Sequence, residues 1–338
     1  MEAALYDPTD GFFTHGRGPA GRGDFLTSPE TGSLFGVLVA RALDREWVRL
    51  GRPEPFTVVE AGAGDGRLAR EVLRAEPACI GALELVRVER SPAARAAQRE
   101  RLPAGSPVRS LADRPAAPCT GMVLANALLD NLPFGIAEAR GGRWTAVLVG
   151  REGDRFVEVH GPLAAADLDL VPSVDSVPDG ARVPIVRAAV DWIGRAAGLI
   201  ADGALLLIDY AAPARTLVER GGWLRTYAGH RRGDDPYAAP GARDITTDVP
   251  LEPVRAALAA AGLEVVGETT QADWAAGLGI SALVEEGRRI WAAGAARGDL
   301  AAIAGRSRAV EAATLTDPSG LGGFVVIEAR RRGPGGDG

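Results

Sequence analysis

Short apolar runs alternate with amphipathic stretches along most of the chain. Runs of four to eight apolar and β-branched residues predict buried strands, and apolar positions three and four residues apart predict helices. In the first part of the chain the predicted elements are helix 34–50, strand 56–61, helix 67–75, strand 85–89, helix 92–102, and strands 108–111 and 122–126. Strand and helix in alternation predict an α/β fold with a mostly parallel, doubly wound sheet.

The alternation is interrupted after residue 126. Apolar segments on both sides of Gly141 and Gly142 predict an antiparallel hairpin or meander over 136–160, and an irregular acidic stretch follows over 161–180. The segment 215–247 is dense in Gly, Arg, Asp and aromatic residues, and we expect a long structureless segment of functional importance. The remaining predicted elements are helix 185–199, strand 204–209, helix 253–261, strand 263–269, helices 273–279, 282–293 and about 300–312, and strand 324–329.

These elements divide the chain into parts. A length of 338 residues fits one large α/β core with substantial insertions. We expect an N-terminal loop and helix covering the site (1–50), a ligand-binding half (51–135), an inserted hairpin and loop (136–180), the rest of the sheet with a helical insertion at about 272–313 (181–330), and a disordered tail (331–338).

Composition excludes several kinds of protein. The net charge of −6 disfavours a general nucleic-acid binder. The chain contains no run of about 18 apolar residues, so we expect no membrane span. Two distant cysteines and three scattered histidines lack metal-site spacing, so we expect no metal and a reducing, cytoplasmic location. The chain contains no lysine, which excludes Schiff-base chemistry and an ordinary P-loop.

A glycine-rich turn between the first strand and its helix carries the main chemical signal. Its spacing is E-x-G-x-G-x-G, with the acidic residue at Glu60, the glycines at Gly62, Gly64 and Gly66, and Asp65 before the last glycine. Glycines allow the backbone to turn sharply and to approach a ligand closely. The motif therefore predicts a nucleotide-type ligand, although a simple strand-to-helix turn remains the alternative.

Glu89 ends the second predicted strand and helps to identify that ligand. A carboxylate at this place can accept hydrogen bonds from both hydroxyls of a ribose, as in NAD-binding proteins. A dinucleotide fingerprint would need Gly or Ala at position 67, where this chain has Arg67. An open glycine turn beside carboxylates suits S-adenosylmethionine (SAM), whose sulfonium is positively charged. The sequence thus favours SAM over NAD.

Asn126 and Asp130 follow the fourth predicted strand. In doubly wound sheets, ligands bind beyond the carboxyl ends of the strands. We therefore expect both side chains to point into the same crevice as the glycine turn. For Asp130, a solvated carboxylate at a helix start is the alternative interpretation.

Together these motifs resemble the MidA-type family of SAM-dependent methyltransferases, which includes a mitochondrial arginine methyltransferase that assists assembly of respiratory complex I. The resemblance implies a class I SAM-dependent methyltransferase fold, a Rossmann-like, seven-stranded, mostly parallel sheet whose last strand is antiparallel, with a substrate-covering insertion. The similar segments, in order, are 5–8, 11–13, 23–30, 34–36, 62–66, 89–92, 126–133, 208–210, 224–227, 230, 240–241, 244–246, 270–271 and 278–280.

The candidate site residues fall into three groups. Those predicted to bind the cofactor are Thr27, Ser28, Glu60, Gly62, Gly64, Asp65, Gly66, Glu89 and Asn126. Those predicted to be catalytic are Asp130, Asp209, Tyr210 and His230. Those predicted to bind the substrate are Glu30, Arg225 and Tyr227. By resemblance, the Thr27 loop and Asn126 would close over the cofactor, and residues from Asp209 to His230 would line the acceptor side.

The expected reaction is an in-line transfer of a methyl group, which needs alignment and the exclusion of water but no metal. The resemblance implies a protein side chain, arginine, as acceptor, and its deprotonation would need a nearby base such as Asp130, Asp209 or His230. One alternative is a small-molecule acceptor enclosed by segment 215–247. Another is a non-catalytic, SAM-binding assembly factor, favoured by Ala127, which stands where the family pattern has an acidic residue.

Overall fold

The computed structural model describes residues 1–15, 27–101, 107–228, 231–297 and 299–331. His230 and the predicted tail after Arg331 lie outside the described residues. The helices are α1 (Glu2–Tyr6), α2 (Leu34–Arg49), α3 (Arg67–Arg74), α4 (Pro92–Arg101), α5 (Arg187–Ala197), α6 (Ala214–Arg220), α7 (Leu251–Ala260), α8 (Gln271–Gly277), α9 (Ile280–Gly294) and α10 (Leu300–Leu315).

The strands of the described residues form one large sheet and three smaller ones. They are β1 (Phe56–Ala61), β2 (Leu83–Val88), β3 (Val108–Leu111), β4 (Cys119–Asn126), β5 (Gly135–Arg140), β6 (Arg143–Glu152), β7 (Arg155–Pro162), β8 (Arg182–Ile185), β9 (Ile200–Asp209), β10 (Ala211–Ala212), β11 (Leu224–Ala228), β12 (Arg231–Gly233), β13 (Asp244–Thr247), β14 (Val249–Pro250), β15 (Leu263–Thr270) and β16 (Val325–Arg331).

The large sheet has the strand order β15-β16-β9-β4-β1-β2-β3. Strands β1, β2, β3, β4 and β9 are parallel, and β16 pairs antiparallel with both β9 and β15. The predicted fold, a seven-stranded sheet whose last strand is antiparallel, is confirmed. Because the carboxyl ends of parallel strands meet at one edge, residues that follow β1, β2, β3 and β4 come together there.

Both faces of the large sheet are covered by helices. Along β9, Leu206 and Ile208 pack with α2, α3 and α8, whereas Leu205 and Leu207 pack with α5 and α7. Strands buried on both faces read as continuous apolar runs. This explains why β1, with all six residues buried, was predicted with its observed bounds.

The segment 215–247 differs from the prediction of a structureless segment. It contains α6 and a three-stranded antiparallel sheet with the order β12-β11-β13. Its polar residues Thr226 and Thr246 are buried. They lie on β11 and β13, which pair with each other as antiparallel strands. Composition alone suggested a loop because these buried positions carry polar side chains.

Most other predicted bounds differ from the structure by one to four residues, and two of them have a clear reason. The helix predicted over 185–199 begins at Arg187, because the residues before it form β8 and pair with β5. Strand β9 begins at Ile200 rather than at residue 204. Within β9, Gly203 leaves room for the carbonyl oxygen of Gly121 on β4.

The predicted antiparallel segment over 136–160 is confirmed. It belongs to a four-stranded sheet with the order β7-β6-β5-β8, which has its own apolar cluster around Ala137, Trp144 and Val183. Helices α9 and α10 pack on each other between β15 and β16 in the chain. Within the described ranges, no helix is long and apolar enough to cross a bilayer.

Gly121 provides a test of the sheet geometry. Its φ is 153°, and a Cβ atom there would overlap the carbonyl oxygen of Thr57 on β1. We expect Gly121→Ala to lower the free energy of unfolding by about 2–4 kcal/mol, measured by urea denaturation. The control is Gly194→Ala inside α5, where no atom lies within 4 Å of the added methyl group, and a gain of up to about 1 kcal/mol is expected. Equal stability of Gly121→Ala and the parent chain would contradict this packing.

Candidate active site

A cavity of about 650 Å³ lies at the carboxyl ends of β1, β2, β3 and β4. Its walls come from the glycine turn after β1, the residues that follow the other three strands, and the N-terminal segment. The predicted site residues that line it are Thr27, Glu30, Glu60, Gly62, Gly64, Asp65, Glu89 and Asn126. The sequence therefore predicted much of one wall of this cavity.

The glycine turn adopts a backbone that other residues rarely adopt. Gly62, Gly64 and Gly66 have φ angles of 69°, 52° and 80°. Gly64 has no atom within 4 Å of its missing Cβ position, so its backbone faces open space. Gly66 does not line the cavity, and a Cβ atom there would overlap the guanidinium of Arg87. Gly64 thus exposes the backbone, while Gly66 allows close packing.

The peptide groups of Gly64 are held from two sides. Its N–H donates to Glu89 Oε2 at 2.9 Å, and its carbonyl accepts from Gln98 Nε2 at 2.7 Å. Ser110 Oγ donates to Gln98 Oε1 at 2.5 Å, so α4 and β3 both support the turn. The sequence analysis did not identify Gln98, which is fully buried. A signal that could have found it is a polar amide side chain among the alanines of α4.

Glu89 sits directly after β2 and faces the cavity. Its second oxygen, Oε1, accepts a hydrogen bond from the N–H of Ser91 at 2.7 Å. Burial raises the pKa of Glu89, opposed by the two backbone N–H donors and by Arg95 and Arg90. Each carboxylate oxygen has two acceptor positions, so both oxygens retain one for a ligand.

Glu60 and Arg87 are register partners on β1 and β2, buried beneath the glycine turn. Burial raises the pKa of Glu60 to about 8, with Asp65 and Glu89 adding to the rise and Arg87 opposing it. Glu60 Oε2 has no hydrogen-bond partner among the described residues. A carboxyl in this state gains a favourable interaction when a cation enters the cavity.

The N-terminal segment forms a rim of the cavity next to α3. The N–H of Thr27 donates to Glu30 Oε2 at 2.9 Å, which closes a small capping box over Ser28–Glu30. Ser28 itself is fully buried, donates to Gln271 Oε1 at 2.7 Å and does not line the cavity. Ser28 therefore anchors the rim to α8. Its side chain does not face the cavity, where the predicted contact with a cofactor would be made.

Tyr6 ties this rim to the loop after β4. Its hydroxyl donates to the carbonyl of Asn131 at 3.0 Å, and the guanidinium of Arg90 lies 4.6 Å from the ring centroid. Tyr6 and Phe13 both line the cavity and stack on each other with centroids 5.5 Å apart. Aromatic side chains therefore form part of the cavity wall.

Asp209, at the end of β9, shapes the loop after β4. Its Oδ2 accepts from the backbone N–H groups of Leu128 at 3.1 Å, Leu129 at 2.8 Å and Asp130 at 3.4 Å. The loop starts at Ala127, which has a left-handed φ of 50°. As a result, the backbone leaves β4 in a sharp turn directly after Asn126.

Three of the predicted catalytic and substrate residues, Asp130, Asp209 and Arg225, belong to a buried cluster behind this loop. Asp130 and Asp209 are 2% and 5% exposed, and neither lines the cavity. Thr246 Oγ1 donates to Asp130 Oδ2 at 2.7 Å, and Arg225 pairs with Asp248 at 2.5 Å. The expectation that the side chain of Asp130 points into the crevice is corrected, because that side chain bonds to β13 instead.

The carboxyl groups of this cluster have raised pKa values because they are buried close to each other. Burial raises the pKa of Asp130 to about 6, while Thr246 and Arg225 oppose the rise. Burial and the nearby Asp130 carboxyl raise the pKa of Asp209. Arg225 also lies 4.8 Å from the ring centroid of Tyr210.

Two of the predicted acceptor-side residues stand apart from the cavity. Tyr210 and Tyr227 are half-buried and do not line it, and His230 lies outside the described residues. The chemical roles assigned to this group stay predictions. Lining residues that sequence reasoning did not assign to the site include Tyr6, Arg67, Asp113, Arg114 and Trp192. They come from separate elements, which only the fold brings together.

Comparisons with known proteins identify the family. A family model described as "Putative S-adenosyl-L-methionine-dependent methyltransferase" matches residues 38–269. A mitochondrial protein of Drosophila melanogaster, named protein arginine methyltransferase NDUFAF7 homolog, is 29% identical over 291 residues, which cover 75% of this chain and 64% of that protein. The chain thus spans just under two thirds of that relative. The Danio rerio protein arginine methyltransferase NDUFAF7, also mitochondrial, is 27% identical over 321 residues, covering 84% and 73%.

A solved structure agrees with this result. A Burkholderia thailandensis protein bound to S-adenosyl-homocysteine superimposes with a TM-score of 0.82 at 29% identity, covering 98% of this chain and 86% of that one. The sequence motifs, the strand order and the cavity beside the glycine turn point to the same assignment. The family model spans more than half of the chain, and the chain therefore belongs to this family of SAM-dependent methyltransferases.

Proposed function

We propose that the glycine turn, Glu60 and Glu89 hold SAM, the cofactor of this family. The site has three features that fit it: the open backbone of Gly64, the free acceptor positions of Glu89, and the unpartnered buried oxygen of Glu60 within the described residues. Bound SAM supplies a methyl group on a positively charged sulfur. The carboxylates then bind the ribose and stabilise the positive charge.

The proposed acceptor is an arginine side chain of a protein. The observation that carries this proposal is that relatives matching 75% and 84% of the chain are named protein arginine methyltransferases. Glu30 supports it, because this carboxylate lines the cavity near Asp65 and Arg67. A carboxylate in that position can pair with a guanidinium.

Glu30 is also the candidate that receives the proton of the guanidinium. Guanidinium groups have pKa values above about 12, so a proton must be removed as the nitrogen attacks. Burial raises the pKa of Glu30, opposed by Thr27 and Arg67, which makes this carboxylate a stronger base than an exposed one. Tyr6 and Phe13 also line the cavity and add apolar surface to its wall.

A small-molecule acceptor is the second candidate. The cavity volume of about 650 Å³, with Tyr6 and Phe13 in the wall, favours it, because pockets of about 300–1,000 Å³ are typical of small-molecule sites. The cytoplasmic location also stays a proposal, and the two relatives described above carry the word mitochondrial in their names.

Labelled SAM separates the two acceptors. The protein is incubated with methyl-labelled SAM and a lysate of the source cell, and the labelled fraction is hydrolysed to amino acids. Label in methylarginine is the expected result. Label confined to small molecules, or to another amino acid, would refute arginine as the acceptor.

Glu89 provides a test of cofactor binding. We expect Glu89→Gln to weaken SAM binding about 10- to 100-fold, because an amide loses one acceptor oxygen and the negative charge. The matched control is Glu84→Gln on the same strand, where the side chain is about half exposed, and no change is expected there. Calorimetric titration measures both, and equal affinities in the two variants would argue against a ribose contact.

The raised pKa of Glu60 leads us to expect that SAM binding releases a proton. With a pKa of about 8 in the folded protein, the Glu60 carboxyl is mostly protonated at pH 7. A cationic ligand favours the ionised form and lowers this pKa, so SAM affinity should rise with pH up to about 8. Calorimetry in two buffers of different ionisation enthalpy measures the proton released at pH 7.5.

The control for this titration is Glu60→Gln, which removes the carboxyl but leaves the amino group of the ligand to titrate. The difference between the two proteins therefore reports Glu60 alone. Identical proton counts for the parent chain and Glu60→Gln would show that Glu60 does not respond to the ligand.

A further inference from the structure

We propose that strand β7 is the surface through which two copies of this chain pair, edge to edge and antiparallel. This strand lies at one end of the four-stranded sheet β7-β6-β5-β8 and pairs with β6 on one side only. Its other side is an open edge among the described residues. An open edge presents backbone N–H and C=O groups to a further strand. The inference concerns assembly and does not depend on which molecule accepts the methyl group.

The register with β6 shows which backbone groups lie on this edge. Glu152 and Arg155 face each other across a two-residue turn, so they form the first hydrogen-bonded pair of the hairpin. Hydrogen-bonded and non-hydrogen-bonded pairs alternate along an antiparallel ladder. The backbone groups of Phe156, Glu158 and His160 therefore point away from β6. Within the described ranges, no backbone group of another element bonds to them.

The hairpin of β6 and β7 exposes apolar side chains on both of its faces. Leu148 and Val159 are directly opposite each other and are 49% and 44% exposed. Val149 and Phe156 lie on the other face and are 58% and 48% exposed. An apolar edge strand of eight residues is prone to pair with another strand unless something covers it. This hairpin therefore has the character of an interface.

The charges of the hairpin favour a second copy as the partner. Around its turn stand two arginines and two acidic residues, Arg151, Glu152, Asp154 and Arg155. A partner strand of one charge sign would meet like charges here as well as opposite ones. Two copies related by a two-fold axis bring the same surface together in reverse order, so that charges of opposite sign can face each other.

Charge and proline chemistry exclude three of the registers that such a pairing allows. With the two-fold axis at Phe156 or at Glu158, acidic side chains of the two copies lie directly opposite each other, which is unfavourable. With the axis at Val159, the ladder needs an N–H group from Pro162, and proline has none.

The register with its axis at Val157 avoids these conflicts. Val157 lies opposite Val157 of the second copy, and Arg155 lies opposite Val159 at both ends of this apolar centre. Asp154 lies opposite His160, whose ring can donate a hydrogen bond to the carboxylate. The pairing joins the two four-stranded sheets into one of eight strands, and it covers the exposed side chain of Val159.

A disulfide tests this register. Opposite residues of a non-hydrogen-bonded pair have Cα atoms about 4.5 Å apart, which a disulfide can bridge. We expect mild oxidation to link Val157→Cys into a covalent dimer, seen by non-reducing electrophoresis. The parent chain, in which Cys79 is buried and Cys119 is partly buried, should stay unlinked. Linkage of Val159→Cys but not of Val157→Cys would contradict the register and overturn the proposal.

A charge pair tests the contact in solution. Val159→Lys sets a lysine opposite Arg155 of the second copy, and we expect it to weaken dimerisation about tenfold or more in sedimentation equilibrium. Adding Arg155→Glu to this variant should restore the dimer. Within one chain these two positions are about 13 Å apart along the strand, so the rescue reports a contact between copies. The control is Val310→Lys on α10, where the side chain is 70% exposed and no change is expected.

Three outcomes would overturn the proposal. The first is a parent chain that stays monomeric at every concentration tested, including the case in which Val157→Cys links to a different protein of a source-cell lysate. The second is a dimer that Val159→Lys leaves unchanged, because the interface would then lie elsewhere. The third is a failure of Arg155→Glu to rescue Val159→Lys while the unfolding midpoint of the double variant equals that of the parent chain.

Discussion

The hydrogen bonds between the Asp209 carboxylate and the backbone of the loop after β4 are the constraint on which the site depends. They join the carboxyl ends of β9 and β4, two neighbouring strands of the large sheet. With the loop held in this way, Ala127 takes its left-handed turn and the Asn126 side chain stays in the cavity. The same turn directs Asp130 towards β13. A residue that lies outside the cavity therefore determines which side chains can enter it.

A second constraint acts on the opposite wall. Glu89 and Gln98 hold the two sides of the Gly64 peptide, so the glycine turn keeps one conformation despite its intrinsic freedom. Glu60 lies beneath this turn, where burial raises its pKa. Preorganised acceptors in a water-poor site bind a cationic ligand more strongly than the same groups in solvent. The wall thus combines a fixed backbone with carboxyl groups that a cationic ligand would ionise.

The two sides of the cavity differ in charge. The glycine turn, the start of α3 and the N-terminal rim carry the carboxyl groups of Glu30, Glu60, Asp65 and Glu89 beside the guanidinium of Arg67, whereas the lining residues of the loop after β4 are neutral. The carboxyl groups are the side of the cavity to which the sulfonium of the proposed cofactor would be attracted.

The sequence by itself determined the strands of the large sheet and one wall of the site. Strand β1 and the glycine turn were predicted with their observed bounds, because apolar runs and glycine spacing are local signals. Glu89 was identified because one helix and one strand separate it from the glycine turn in the chain, and an acidic residue at that place binds the ribose in related folds. Only the tertiary structure decided that Ser28 and Asp130 face away from the cavity and that Tyr6, Gln98 and Trp192 contribute to it or support it. The direction of a side chain depends on partners such as Gln271 and Thr246, which lie more than a hundred residues away in the chain, and a pattern of local positions carries no information about them.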